Sequence, residues 1–195
     1  MKLLIFGASG LTGREMVEQA LEQNHTVMAF VRTPEKFDIR HDSLKVAQGD
    51  ITDYEKVERA VEGQEAVLSA LGASNLLMRT PSLTEGMRNI VRAMEKTGVR
   101  RFVYESALGV SDSVADTRFP VRYFVIHVIL GRAYADHEDK ERIIKASSLD
   151  WIIVRPTQLV NKPRTGKYKA GVHIADSFPP GKIGERMSPS LCSNK

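Results

Sequence analysis

Residues 3–13 read Leu-Leu-Ile-Phe-Gly-Ala-Ser-Gly-Leu-Thr-Gly, an apolar run that leads directly into a glycine-rich turn. Apolar side chains then recur at helical spacing, so the stretch predicts a strand, a tight turn and a helix. Glycines in such a turn let the backbone approach a pyrophosphate, and the N–H groups at the start of the helix face the phosphates. The predicted phosphate-binding residues are Gly7, Ser9, Gly10, Leu11, Thr12 and Gly13.

The same turn would also serve as a plain corner between a strand and a helix. Its position favours a binding role, because strand and helix patterns alternate along the rest of the chain. Further apolar runs occur at 26–31, 44–46, 66–71, 101–107 and 149–154. Six strands that alternate with helices predict an α/β protein with a Rossmann-type doubly wound parallel sheet in three layers.

Size and charge narrow the class of protein. We expect one domain over residues 1–195, with 1–156 as the sheet and helices and 157–195 as a substrate-side extension with an atypical tail. The net charge of +4 fits anionic small ligands such as NADP or flavin phosphates, and it is too small and scattered to indicate nucleic acid. Cys192 is the single cysteine, so no intramolecular disulfide and no metal cluster is expected.

The apolar segments are short. The run at 3–6 is too short for a signal peptide, and the run at 121–130 is interrupted by Arg122 and His127. We therefore expect a cytoplasmic protein without a membrane partner. Residues 121–134 are expected to form a helix that lines the substrate pocket or a partner interface, or else a plain core helix, and a further helix is expected to begin at Ala135.

Arg32 is the first residue after the second predicted strand, and no acidic residue follows before Glu35. An acidic residue at this place bonds the ribose hydroxyls of NAD, whereas an arginine accommodates the 2′-phosphate of NADP. The sequence therefore predicts a preference for NADP(H) over NAD(H). The alternative is a solvated arginine at the end of a strand.

Polar or small residues also follow the third, fourth and fifth strands. Asp50 and Ile51 are expected to bond and cover an adenine ring, although Asp50 would equally serve to end its strand. Gly72 would let a ribose and nicotinamide pass close to the backbone. Ser106 stands at the carboxyl end of a parallel strand, where ligands gather, and is a candidate polar contact to nicotinamide or substrate; the alternative is a turn cap. Capping boxes at residues 52–55 and 82–85 predict two helix starts.

Seven segments together resemble one family. They are GASGLTG, QGD, SALG, TEGMRNIVRAMEKTGV, FVYESALGV, ADHEDKERI and SLDWIIVRPTQL. Over about residues 1–172 the chain is similar to NAD(P)H-binding atypical short-chain dehydrogenase/reductases, the group that includes biliverdin-IXβ reductase/flavin reductase-like and NmrA-like proteins. The resemblance implies a monomer or weak homodimer that holds NADPH over the sheet edge and passes hydride to a planar acceptor such as a flavin.

The resemblance also implies roles for individual residues. The pyrophosphate would be contacted by Gly7, Gly10, Thr12 and Gly13, and the 2′-phosphate by Arg32. The adenine would lie against Asp50 and Ile51, and the ribose against Leu71 and Gly72. The nicotinamide would lie near Ser106, and Pro156 would also contact the cofactor. Ser106 and Gln158 would position the acceptor. Gln158 stands where biliverdin-IXβ reductase has a histidine, and a glutamine can bond an acceptor without acting as a general acid.

Two further features depart from the family pattern. No Tyr-x-x-x-Lys follows Ser106, and Tyr134 and Lys140 are six positions apart, so about 240° separates them around a helix. Residues 184–190 lack a helical apolar period, which predicts a truncated or altered tail that leaves one sheet face partly bare.

These observations favour an NADPH-dependent reductase of a flavin or similar conjugated acceptor. The alternative is a non-catalytic, NmrA-like NADP-binding redox sensor. A nucleotide-sugar epimerase is a weaker reading, because such enzymes need the tyrosine–lysine pair and a larger substrate domain.

Overall fold

A computed structural model describes residues 1–73, 80–108, 110, 131–156, 158–160, 171 and 182–184. At 131–133, 158–160 and 182–184 it describes the backbone alone. The strands are β1 (Lys2–Phe6), β2 (Thr26–Val31), β3 (Leu44–Gln48), β4 (Ala66–Ser69), β5 (Arg101–Glu105), β6 (Asp150–Val154), β7 (Gln158–Val160) and β8 (Lys182–Gly184). The helices are α1 (Leu11–Glu22), α2 (Tyr54–Val61), α3 (Pro81–Thr97) and α4 (Gly131–Lys145), with a 3₁₀ turn at Pro34–Lys36.

The main sheet has the strand order β3-β2-β1-β4-β5-β6, and every pairing in it is parallel. The order reverses between β1 and β4, which is the point where ligands bind in doubly wound sheets. This arrangement confirms the predicted fold class. The fourth strand ends at Ser69, two residues earlier than predicted. β7 and β8 form a separate parallel pair.

Two apolar cores flank the sheet, one on each face. Leu4 and Phe6 point into the core shared with α2, α3 and α4, whereas Leu3 and Ile5 point into the core shared with α1. Successive side chains of a strand point to opposite faces, so a run of four apolar residues serves both layers. Burial of each such side chain contributes roughly 1.5–3 kcal/mol. The predicted three layers are confirmed.

Both predicted capping boxes are wrong. Asp53, one residue later than predicted, caps α2 by accepting a bond of 3.2 Å from the N–H of Lys56. α3 begins at Pro81, whose fixed φ suits a first helical position, and Thr80 before it makes no side-chain cap. The residues predicted as the second capping box therefore lie inside the first turns of α3.

The predicted boundary between two helices near Tyr134 is also wrong, because α4 runs without a break from Gly131 to Lys145. The predictions for 121–130, for most of the substrate-side extension at 157–195 and for the tail after Gly184 lie outside the described residues. Within the described part of the chain, no helix combines the length and the apolar character that a membrane crossing requires.

Gly7 and Gly98 provide a test of backbone crowding. Both have a positive φ, 76° and 77°, but a Cβ at Gly7 would lie 2.6 Å from the carbonyl oxygen of Ala70, whereas a Cβ at Gly98 meets no atom within 4 Å. Gly98→Ala should cost only the left-handed strain, about 1 kcal/mol of unfolding free energy. Gly7→Ala adds a steric overlap and should cost roughly 3 kcal/mol. Equal losses in urea denaturation would contradict a close approach at Gly7.

Candidate cofactor and active site

The glycine turn holds α1 tightly against the end of β1. Gly10 donates its N–H to the carbonyl of Gly7 at 2.9 Å, and Gly10 itself is extended, with φ −74° and ψ 168°. A Cβ at Gly13 would overlap the same Gly7 carbonyl. Side chains are therefore excluded from the turn at Gly7 and Gly13, and the backbone is left as the surface that a ligand would meet.

The amino end of α1 carries no neutralising group. The N-cap position is occupied by Gly10, which has no side chain to accept a hydrogen bond from the helix. The first turn of α1 contains no acidic residue. The first N–H groups of any helix lack an intrahelical acceptor and carry a partial positive charge. Ser9, Gly10 and Leu11 are exposed. The predicted phosphate-binding turn thus fits the diphosphate of a dinucleotide both sterically and electrostatically.

Arg32 and Asp50 lie beside the turn, at the ends of β2 and β3. Arg32 is exposed, and its charge reaches Asp50. Oδ1 of Asp50 accepts the N–H of Thr52 at 2.9 Å and its hydroxyl at 2.7 Å. The backbone bond, and next the hydroxyl bond, hold the pKa of Asp50 below its usual value, so the group is a carboxylate that can accept from an amino group.

Ile51 is placed differently from the predicted adenine cover. Its side chain is only 9% exposed and packs against Gly86 of α3, while its carbonyl accepts a bond of 3.0 Å from the side chain of Asn89. Little of this side chain remains to cover a ring. The apolar side chain of Ile51, which suggested a ligand contact, packs in the apolar core instead.

Arg14, in the first turns of α1, was missed in the sequence. It pairs with Asp38 and lies over the ring of Phe37, 5.7 Å from the ring centroid. Its position directly after the last glycine of the turn was the available signal. The arginine lies near the amino end of α1, and its charge there is shared with Asp38.

The loop after β4 carries the predicted ribose contacts. The carbonyl of Leu71 accepts a bond of 3.0 Å from Nζ of Lys140, and Gly72 faces open space. Lys140 is fully buried, and burial lowers its pKa to about 8 although Asp136 opposes the shift. A side chain of α4 therefore fixes the backbone of this loop.

Ser106 occupies the predicted place at the carboxyl end of β5, but its hydroxyl points inward. It is 5% exposed and donates to Oε1 of Glu141 at 2.7 Å. Glu141 is 1% exposed and also accepts two bonds from Arg155, of 2.9 and 2.6 Å, and an ion pair of 3.2 Å from Lys145. Although burial raises the pKa of Glu141, the bonds from Arg155 and Ser106 bring it below its ordinary value.

A second polar contact lies next to this cluster. The hydroxyl of Tyr104, which is fully buried, lies 2.7 Å from Nδ1 of His137. Burial, then the charge of Glu141, raises the pKa of Tyr104 well above its usual value. Burial, then the charge of Lys140, lowers the pKa of His137 to about 3, so both groups are neutral at physiological pH.

The other predicted residues lie around these clusters. Tyr134 donates to the carbonyl of Leu108 at 3.0 Å, so it and Lys140 bond to different loops. Pro156 is buried, and its carbonyl accepts the N–H of Leu108 at 3.0 Å. Gln158 opens β7, and its side chain lies outside the described part of the structure.

The polar face of α4 was also missed. His137, Lys140 and Glu141 recur at helical spacing together with the buried Ile144, so they share the inward face. The sequence around them is a run of charged residues, which is typical of a solvated surface. Their spacing relative to Ile144 was the only available signal.

The uncapped helix behind a glycine turn, at the point where the strand order reverses, defines a dinucleotide-binding α/β domain. The sequence matches the family of NAD(P)H-binding proteins over residues 7–186, and the chain belongs to this family. The resemblance to atypical short-chain dehydrogenase/reductases is thereby confirmed. Photosystem II assembly factor Ycf39 of Synechocystis is 35% identical over 115 residues, which are 55% of this chain and 34% of that protein, so the chain spans about a third of the relative's length.

Solved structures have the same fold. The anaerobilin reductase ChuY of Escherichia coli O157:H7 has a TM-score of 0.76 at 24% identity, with 95% of this chain and 85% of that chain covered. A short-chain dehydrogenase/reductase of Veillonella parvula in complex with NADP has a TM-score of 0.76 at 19% identity, with 100% and 88% covered. At sequence identities of 24% and 19%, these similarities establish the fold of the chain and nothing further.

Glu141 and Glu138 on α4 test the buried cluster. Glu141→Gln removes the buried carboxylate that accepts bonds from Arg155 and Ser106 and should lower the free energy of unfolding by about 3 kcal/mol. Glu138 is exposed, and Glu138→Gln should change it by less than about 0.5 kcal/mol.

The same pair of variants has an expected pH dependence. The folded-state pKa of Glu141 lies below the ordinary 4.5, so its contribution is full above that pH and is lost as the pH falls through the folded value. The stability gap between the wild type and Glu141→Gln should therefore narrow in acid. A gap that stays constant in denaturation curves at several pH values would contradict this account.

Proposed function

We propose that the chain is an NADPH-dependent oxidoreductase that transfers hydride to a flavin or a similar conjugated acceptor. The observation that carries the proposal is the amino end of α1, which is uncapped, free of acidic residues and enclosed by a turn that excludes side chains at Gly7 and Gly13. A diphosphate would complete the bonding of these N–H groups. Membership of the NAD(P)H-binding family supports this assignment.

The preference for NADP over NAD rests on charge at the adenosine end. Arg32 is exposed at the end of β2, whereas Arg14, near the start of α1, is paired with Asp38. Guanidinium groups bind phosphate with charge-assisted, often bidentate bonds. The structural neighbour from Veillonella parvula, which was solved with NADP, supports the same nucleotide.

The chain's own groups would position and shield the reaction. A reduced nicotinamide, when bound, supplies a hydride. The loop at Leu71 and Gly72, fixed by Lys140, would hold the ribose beside the end of β4. The cluster of Ser106, Glu141 and Arg155 would keep the ends of β5 and β6 rigid beneath the acceptor. Such positioning supplies a large part of the rate when the acceptor stacks on the cofactor.

The neighbour ChuY is itself named a reductase, which supports the reaction class. We infer that the partner is a small-molecule acceptor, and that the protein acts in the cytoplasm as a monomer or weak homodimer. Nucleic acid and membranes are not expected as partners.

Arg32 tests the choice of nucleotide. Arg32→Ala should weaken NADPH binding by roughly 10- to 100-fold, because a charge-assisted bond contributes about 1.5–3 kcal/mol, and should leave NADH binding nearly unchanged. Calorimetry of both nucleotides measures this. Arg101→Ala is the matched control, because Arg101 is exposed at the opposite end of the sheet, in the first position of β5. Equal losses for both nucleotides would contradict a 2′-phosphate contact.

Turnover tests the reaction. NADPH oxidation with FMN, followed by absorbance, should be supported by the wild type and abolished by Thr12→Glu. This variant places a carboxylate in the first turn of α1, where it stabilises the helix by about 0.3–1 kcal/mol and repels a diphosphate. A wild type that binds NADPH without reducing flavins, quinones or biliverdin would instead favour the non-catalytic redox sensor.

A further inference from the structure

His137 lies between two contacts that attach α4 to the carboxyl edge of the sheet. Three residues before it, Tyr134 donates to the carbonyl of Leu108 at 3.0 Å. Three residues after it, Lys140 donates to the carbonyl of Leu71 at 3.0 Å. Residues three apart share one face of a helix. His137 therefore lies on the helix face that contacts the sheet edge at Leu71 and Leu108.

Tyr104 determines which nitrogen of His137 carries the proton. The hydroxyl of Tyr104 has no other acceptor among the described residues, so it donates across the 2.7 Å contact and Nδ1 of the neutral imidazole accepts. A neutral imidazole with Nδ1 as acceptor has its hydrogen on Nε2. No described residue forms a hydrogen bond with Nε2 of His137. In the described part of the chain, the fully buried side-chain atoms without a hydrogen-bond partner are Tyr54 Oη and Ser69 Oγ, so Nε2 is not fully buried. His137 is partly exposed, and its Nε2 carries a hydrogen that no described residue accepts.

We propose that His137 is a catalytic residue of the reductase, whose Nε2–H donates a hydrogen bond to the conjugated carbonyl oxygen of the acceptor, with Tyr104 as its positioning residue. This inference rests on the proposed function. The acceptor gains the hydride at a ring atom and is reduced, while the nicotinamide is oxidised. The displaced electron pair moves onto the carbonyl oxygen, and solvent water then supplies the proton that balances the reaction.

A neutral, preoriented donor suits this task. It stabilises charge that develops only as the hydride arrives, and it needs no reorganisation at that moment. Tyr104 of β5 bonds the ring, and burial, followed by the positive charge of Lys140, opposes a second proton on it, whereas the charge of Glu141 favours one. The chain has no Tyr-x-x-x-Lys pair after Ser106, so a donor from α4 supplies a contact that the sequence pattern did not reveal.

Three variants separate the donor from the structure around it. His137→Leu removes the donor and should lower kcat with FMN on the order of 100-fold, with the NADPH dissociation constant unchanged. His137→Gln, whose amide nitrogen reaches the place of Nε2, should recover most of this loss. Tyr104→Phe frees the ring and should give an intermediate loss of kcat. His41→Leu, at an exposed histidine, is the control and should behave as the wild type.

Nitrogen-15 NMR of labelled histidine gives a readout without turnover. The wild type should show Nδ1 as an unprotonated acceptor and Nε2 as protonated from about pH 8 to about pH 5, and Tyr104→Phe should show a mixture of tautomers. A protonated Nδ1 in the wild type, full activity of His137→Leu, or a loss confined to NADPH affinity would overturn the inference. A wild type that reduces no acceptor overturns the proposed function itself, whereas a wild type that reduces FMN equally well without His137 overturns this inference alone.

Discussion

The backbone contact between Gly7 and the carbonyl of Ala70 is the constraint on which the site depends. It brings the end of β1 against the residue that follows β4, at the place where the strand order reverses. Gly13 then packs on the carbonyl of Gly7, so the amino end of α1 is aimed over the same place. No side chain is needed to define this surface, because the backbone alone presents the N–H groups.

The two halves of the candidate site use charge in opposite ways. At the adenosine half, Arg32 is exposed, so its interaction with a ligand would respond to salt. At the other half, Ser106, Glu141 and Arg155 form a buried cluster whose charges are compensated within the protein. Burying such a cluster carries a desolvation penalty in free energy, but the hydrogen bonds within it hold its side chains in one orientation. We infer that affinity for the nucleotide is concentrated at the first half and geometry for the reaction at the second.

The sequence predicted those features that depend on local pattern. The glycine turn and the six parallel strands follow from spacing and residue type alone. The partner of Ser106 did not, because Glu141 lies 35 residues away and meets it only after β5 and α4 have packed together. The contact between Ile51 and Gly86 could not be predicted either, because Gly86 lies 35 residues away on α3. Without that contact, the apolar Ile51 was interpreted as a ligand contact. Contacts between distant elements are fixed by packing, which periodicity does not contain.

The parallel pairing of β1 with β4 also bears on how the protein is made. Leu3 pairs with Ala66, so β2, β3 and the helices between them are synthesised before β1 acquires its second neighbour. Closing so long a segment carries an entropic cost that must be met before the new contacts compensate it, and parallel sheets form slowly for this reason. On the ribosome, the first sixty residues would expose an unfinished sheet edge along β1. The crevice for the nucleotide comes into existence only when β4 docks, so a dinucleotide can assist only the late steps of folding.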